Sequence, residues 1–482
     1  MASSRVVRVR ARRDGAVKAQ LDEGIERIQE ELDVSPEFPP EVERAAERAA
    51  AAPRLPELDR TDLELVTIDP ASARDLDQAL HLERDGDGYV VHYAIADVAA
   101  FVTPGDPVDL EAQRRGETLY GADSKVPLHP RSISEDAGSL LPQQDRPALL
   151  WTIHVDATGE GTDVTVERAL VRSREQLDYD EAQRRIDDGT ASESLQLLAE
   201  VGRLRLEREA ARGGVSLPLP EQEVEIDGDD VTLHFRSLLP VEQWNAQISL
   251  LTGFGAASLM VYARVGLLRT LPPPTAHDIT RLHRTARALG IEWPAEQLYP
   301  DFIRRLDASK PEHAAMVVAC TRLLRGSGYV SFDGETPADP QHAALASEYA
   351  HVTAPLRRLG DRYAGEVCLA LCSGDPVPGW VTSALPGLPA VLSGSAQKSS
   401  QYESAVVNLV EAELLRGRVG QRFAGIVVDL DGDDHATGTV VVRDPAVEAR
   451  VVGDGELPLG DEVTVTLAEA DPVARRVEFR LG

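Results

Sequence analysis

Cysteine, lysine and aromatic residues are all scarce in this 482-residue chain. Three cysteines with no Cys-x-x-Cys pair are too few for a disulfide framework or a structural zinc site, and they suit a reducing cytoplasm. Cys368 and Cys372 stand one helical turn apart among Val and Leu, the setting of buried core thiols. Lysine occurs only at Lys18, Lys125, Lys310 and Lys398, so positive charge is carried almost wholly by arginine. The formal net charge of -30 argues against a protein that grips duplex nucleic acid through a broad basic face. A narrow arginine-lined groove stays compatible, because a guanidinium forks phosphate oxygens two at a time. A compositional habit of the source explains the same bias equally well. No uncharged apolar stretch long enough to cross a bilayer is expected, since VVHYAIADVAAFV is short and carries Asp97. The first twenty residues hold charge without an apolar core, so they are no secretory signal.

The length predicts two to four domains with a sizeable core. Arg5, Arg8, Arg10, Arg12 and Arg13 form a basic arm, expected to be a disordered tail rather than a nucleic-acid contact. Period-3.6 apolar positions predict helices between residues 19 and 52, the second opening near Pro40. Strand-like runs follow at LELVTI, YVVHYAIADV and ALLWTIHV, and helical ones at SLQLLAEVGRLRLEREAAR and EQWNAQISLLTGFGAASLMVYARV. Residues 373–400 are rich in Pro, Gly and Ser and read as loops or a linker, followed by a helix at YESAVVNLVEAELLRG. From Arg416 onward five short alternating runs predict a small OB-type barrel.

TIDPASARDLDQAL, from Thr67 to Leu80, gathers Asp69, Asp75 and Asp77 into nine residues, with Arg74 as the one base among them. The proline and small residues mark a loop, and Asp75 and Asp77, two apart, face one side of an extended stretch. Such crowding asks for a cation, and carboxylate oxygens suit Mg²⁺ or Mn²⁺. A solvated acidic turn is the competing interpretation. Far downstream, EYAHVTAPLRRLGDR places Tyr349, Thr353, Arg357, Arg358 and Asp361 around Pro355, a candidate phosphate clamp or else a helix start with surface arginines.

Together these two segments resemble the catalytic domain of the ribonuclease II and ribonuclease R (RNB) family. HYAIADVAAFV, DLEAQRRGETLY, KVPLHPRSISEDAGSLLP and LLRTLPPP match its landmarks in order. The resemblance covers roughly residues 60–415 and implies an α+β fold, a mixed sheet with packed helices around an RNA channel, followed by an S1-type barrel. The implied domains are a helical region at 1–58, the catalytic domain at 59–415 and the barrel at 416–482. The implied activity is processive 3′→5′ exoribonuclease action on single-stranded RNA, releasing nucleoside 5′-monophosphates, in the cytoplasm, by a monomer that needs no membrane. Asp69, Asp75, Asp77 and Gln78 would hold Mg²⁺ or Mn²⁺, and Arg357 would join the three acids in catalysis. Tyr120 and Tyr179 would stack on bases, Arg358 would hold a neighbouring phosphate, and Glu403, placed at a helix start, would contact the last sugar.

The chain departs from the family pattern in several places. The acidic motif ends in Gln78 where relatives carry a further aspartate, which predicts a weaker metal ligand. Leu217 stands where a phenylalanine should oppose Tyr179, and Asn245 and Gln247 replace an expected acidic pair. The usual cold-shock barrels are not expected in the short helical region ahead of the motif. The alternative function is a catalytically impaired RNB-fold protein that binds RNA or regulates its decay.

Overall fold

The computed structural model describes residues 7–13, 16–121, 124–217, 221–227, 230–236, 238–307, 310–431 and 435–482. Alternating apolar residues build a first closed barrel from strands Leu65–Ile68, Gln78–Asp85, Gly88–Ala96, Asp145–Val155 and Gly161–Leu177. Neighbouring strands in it run antiparallel, and a parallel pairing of Thr67 with Gln176 and Ile68 with Leu177 closes the ring. Trp151, Tyr93 and Val91 fill its packed side and are almost fully buried.

The described residues include twelve α-helices: α1 (Ala16–Glu31), α2 (Pro40–Ala51), α3 (Pro107–Arg115), α4 (Tyr179–Asp187), α5 (Glu193–Arg212), α6 (Pro240–Ala263), α7 (Ala276–Ala288), α8 (Tyr299–Ile303), α9 (Pro311–Cys320), α10 (Leu359–Ser373), α11 (Gly379–Ala384) and α12 (Leu388–Leu415). By length and composition α6 could span a bilayer, contrary to the expectation that no such stretch exists. In the fold it is a core helix: Val241, Trp244, Ile248, Leu251, Ala257 and Met260 are buried in the main apolar cluster. Gly253 is needed there, because a Cβ would meet the Tyr349 ring at 2.1 Å. Its bare backbone lets the segment carrying Tyr349 lie directly on α6, where Ala350 N–H donates to the Gly253 carbonyl at 3.2 Å. A buried ion pair of Arg362 with Asp109, 2.6 Å, fastens α10 to α3.

Two further expectations need correction. Residues 388–400 are helical, not linker: Pro389 occupies the first turn of α12, where its missing N–H costs nothing, and Leu388, Leu392 and Ser395 are buried. The basic arm is a strand, Val7–Arg13, paired in parallel with Glu221–Asp227; a sheet edge supplies the backbone partners that the arm's own sequence does not reveal. Arg5 lies outside the described residues. The predicted tail is therefore ordered over those seven positions.

The C-terminal strands Arg422–Asp431, Thr437–Arg443, Ala446–Val452, Glu462–Asp471 and Arg476–Leu481 form a second closed barrel, as the five alternating runs predict. Phe423 and Phe479 meet edge to face inside it and are buried, so neither offers a stacking surface. Leu21, Ile25 and Ile28 of α1 pack with Val406, Leu409 and Val410 of α12 in the apolar cluster that also fills this barrel. Val42 and Ala46 of α2 join the cluster that holds Leu76, under the acidic loop. Cys320 and Cys368 are buried and Cys372 is half-buried, all as free thiols.

Candidate active site

The acidic segment leaves the strand Leu65–Ile68 as a loop and rejoins regular structure at Gln78. Its path is held from outside. Asp69 N–H donates to the Leu177 carbonyl at 3.0 Å. Ser139 Oγ accepts from Leu76 N–H at 2.9 Å and donates to the Arg74 carbonyl at 2.6 Å, while Gln176 Nε2 donates to the Ala73 carbonyl at 3.1 Å. Leu76 is completely buried among Val98, Ile133 and Leu356, which turns its neighbours Asp75 and Asp77 the other way.

The arginine turn comes from the opposite end of the domain. Asp361, in the first turn of α10, accepts from Ala354 N–H at 2.8 Å and from Arg358 Nη2 at 2.7 Å. Thr118 N–H donates to the Arg357 carbonyl at 2.9 Å, and Leu359 N–H to the Gly116 carbonyl at 3.0 Å. So fixed, the turn meets the acids: Leu356 N–H donates to Asp77 Oδ1 at 2.8 Å, and Arg357 Nε stands 3.6 Å from Asp77 Oδ2. Two segments about 280 residues apart are thereby joined at one carboxylate, with the Arg357 side chain still 44% exposed.

Burial pushes Asp69 up to about 7 against the pull of Arg357, with Asp75 adding repulsion. Burial likewise pushes Asp77 up to about 8, outweighing Arg357 and the Leu356 N–H, again with Asp75 adding to the rise. These are two carboxyls whose ionised forms lack compensation, which is what a hard cation supplies. In kind, then, the donor set fits a divalent metal. Among the described residues no three His, Cys, Asp or Glu side chains already converge on one metal position. Asp75 instead faces Tyr120 Oη at 3.3 Å and Lys125 Nζ at 3.3 Å, and Lys125 also reaches Glu135 at 2.6 Å.

Gln78, expected among the ligands, has other partners. Its Nε2 donates to the Thr353 carbonyl at 2.7 Å, and its Oε1 accepts from Tyr93 Oη at 2.5 Å with Ser249 Oγ at 3.4 Å. Arg358 is committed to Asp361 rather than left facing a phosphate. Tyr120 is at the rim, 41% exposed. Tyr179 opens α4 and is packed on the main core, so only part of its ring is available. Leu217 packs with α7, α8 and α9 in a different cluster and does not pair with Tyr179. Gln247 is buried and donates to Glu209 at 2.6 Å. Glu403 is not at a helix start: it stands mid-way along α12 and lines a cavity of about 460 Å³ with Glu411, Glu448, Arg450 and Arg475, beside the C-terminal barrel. Sequence alone does not single out Lys125, Glu135, Tyr93 or Ser249; the rarity of lysine was the one available signal.

The RNB domain model matches residues 58–370, and the RNase II-type exonuclease C-terminal S1 domain model matches 421–482. Exosome complex exonuclease RRP44 homolog A of Arabidopsis thaliana is 28% identical over 319 residues, 63% of this chain and 34% of that protein. The chain thus spans about a third of that relative's length. In fold, Mycoplasma genitalium RNase R in complex with ribose methylated single-stranded RNA superposes with a TM-score of 0.84 at 20% identity, covering 96% of this chain and 78% of the other. Yeast Ssd1, a pseudonuclease, superposes with a TM-score of 0.68 at 15% identity, over 93% and 58% of the two chains.

Proposed function

The chain belongs to the RNB family, and we propose that it is a metal-dependent, processive 3′→5′ exoribonuclease that degrades single-stranded RNA to nucleoside 5′-monophosphates. The observation that carries this reading is the meeting of Arg357 with Asp77 beside Asp69 and Asp75. A guanidinium that faces the acids and is still partly open to solvent is placed to neutralise charge that grows on a phosphate oxygen. The Leu356 N–H keeps the Asp77 carboxylate from rotating away. Tyr120, at the rim and hydrogen-bonded to Asp75, offers a ring for a base, and such stacking accepts any sequence. Mg²⁺ or Mn²⁺ bound by Asp69, Asp75 and Asp77 would supply an activated water and offset the charge of the leaving oxygen.

A silent RNA-binding protein is the second reading. It is favoured by the engagement of the Gln78 side chain with Tyr93 and Thr353 and by the likeness in fold to a pseudonuclease. Incubating matched 5′-labelled RNA and DNA oligonucleotides with Mg²⁺ or Mn²⁺ separates the two. Stepwise shortening of RNA alone, with mononucleotides as product, supports the enzyme; binding of RNA with no shortening in either metal supports the silent protein.

A further inference from the structure

Gln78 is the first residue of its strand and touches both halves of the candidate site. Its register partner is Ile95, and Leu80 faces Tyr93, so Tyr93 lies diagonally beside Gln78 on the same face of the strand pair. Tyr93 is 1% exposed and its hydroxyl sits 2.7 Å from Ser249 Oγ on α6. Two hydroxyls held in packed walls therefore converge on the Gln78 carboxamide oxygen, at 2.5 and 3.4 Å. On the other side the amide N–H meets a backbone carbonyl, Thr353, at 2.7 Å. This surround needs a side chain that accepts at one atom and donates at the next, which glutamine does and an ionised carboxylate does not.

We propose that Gln78 is a positioning residue for the arginine turn and not a metal ligand. Its other ties to the acids, the Leu356 N–H bond and the Arg357 ion pair, both fall on the one carboxylate of Asp77. With Thr353 fixed three residues earlier, the turn has two anchors on the acidic segment, and Arg357 is held over Asp77. A carboxylate at position 78 would face the Thr353 carbonyl with a second oxygen and push the turn away. Restoring an acid here therefore harms the site instead of improving it.

The catalytic part of this inference rests on the exonuclease reading; the structural part does not, and the test keeps them apart. The variant is Gln78→Glu, of equal length, studied by hydrogen exchange of the peptide spanning residues 350–360, by Mn²⁺ titration and by steady-state kinetics on oligo(A). Exchange at Ala354 and Leu356 should accelerate roughly tenfold, the effect of one lost hydrogen bond. The kcat should fall on the order of 10²-fold, as for a small misplacement of a reacting group, with KM little changed. Mn²⁺ affinity should stay within about twofold, since the ligand set is unaltered. Unchanged exchange, or Mn²⁺ binding roughly tenfold tighter with kcat retained, overturns the proposal. Should Gln78→Glu fail to fold, Tyr93→Phe removes the close donor to that oxygen and Ser249→Ala removes the hydroxyl that orients Tyr93. Faster exchange at 354–356 in both then supports the anchor, and parent-like exchange in both overturns it. If the parent itself never shortens RNA, the exonuclease reading fails, while the exchange and Mn²⁺ results still decide the role of Gln78.

Discussion

Replacing Asp77 by asparagine should stabilise the metal-free protein while ending its activity. Asp77 is 5% exposed, and burial pushes its carboxyl from 3.8 to about 8 despite Arg357 and the Leu356 N–H. Asparagine keeps an oxygen for that N–H and removes the charge. Because the folded value lies above the unfolded one, the aspartate's contribution is fully present below about pH 4 and is lost as pH rises through about 8. The gap is about four pH units at ~1.36 kcal/mol each, a ceiling of about 6 kcal/mol. Asp69, Asp75 and Arg357 share the site, so the gain at alkaline pH should be a few kcal/mol. Unfolding entropy near 2.1 cal/mol/K per residue makes about 1 kcal/mol per degree for 482 residues, hence a rise in Tm of a few degrees. Thermal unfolding in chelator at pH 8 should show Asp77→Asn melting above the parent, with the gap shrinking towards pH 4. Adding Mg²⁺ at pH 8 should raise the parent and leave the variant nearly unmoved. A variant that melts below the parent in chelator at pH 8, or an equal response of both to Mg²⁺, refutes the reasoning.

The two arginines of the turn should separate by assay. Arg357→Ala should lower single-turnover RNA decay by about 10²–10³ while the RNA Kd changes little, as for loss of a group that stabilises transition-state charge. Arg358→Ala should instead cost about 3–5 kcal/mol in denaturant unfolding, because it strips the cation from the fully buried Asp361 carboxylate. Burial pushes His129 down to about 3 and His342 down to about 4, so both are neutral in the fold. Their contribution is present above about pH 6.5 and is lost as pH falls through those values, at up to ~1.36 kcal/mol per pH unit for each. Urea unfolding at pH 7 and pH 5 should therefore show a drop that His129→Gln reduces.

The acidic loop and the arginine turn were legible because both are carried by local signals, a proline with small residues around closely spaced acids and two arginines beside a proline. The C-terminal barrel was legible from strict alternation. What was not legible depends on distant partners. Gln78 looks like a weakened ligand until Tyr93, Ser249 and Thr353 surround it, from 15, 171 and 275 residues away. Arg357 and Arg358 are neighbours in sequence, yet one faces the acids and the other its own helix, a choice made by Asp361. The start of α12 hid behind Pro389 and its serines, and with it the true place of Glu403, which faces the cleft beside the barrel. The arm Val7–Arg13 alternates like a strand, but its pairing edge lies more than two hundred residues on, at Glu221–Asp227.

The most direct test of the central claim is a time course with 5′-labelled single-stranded oligo(A) and Mg²⁺ or Mn²⁺, run beside Asp77→Asn. Stepwise shortening from the 3′ end to a small limit product, absent in the variant although it still binds the RNA, is the expected result. Tight binding with no shortening in either metal, or shortening at the parent rate by Asp77→Asn, would contradict it.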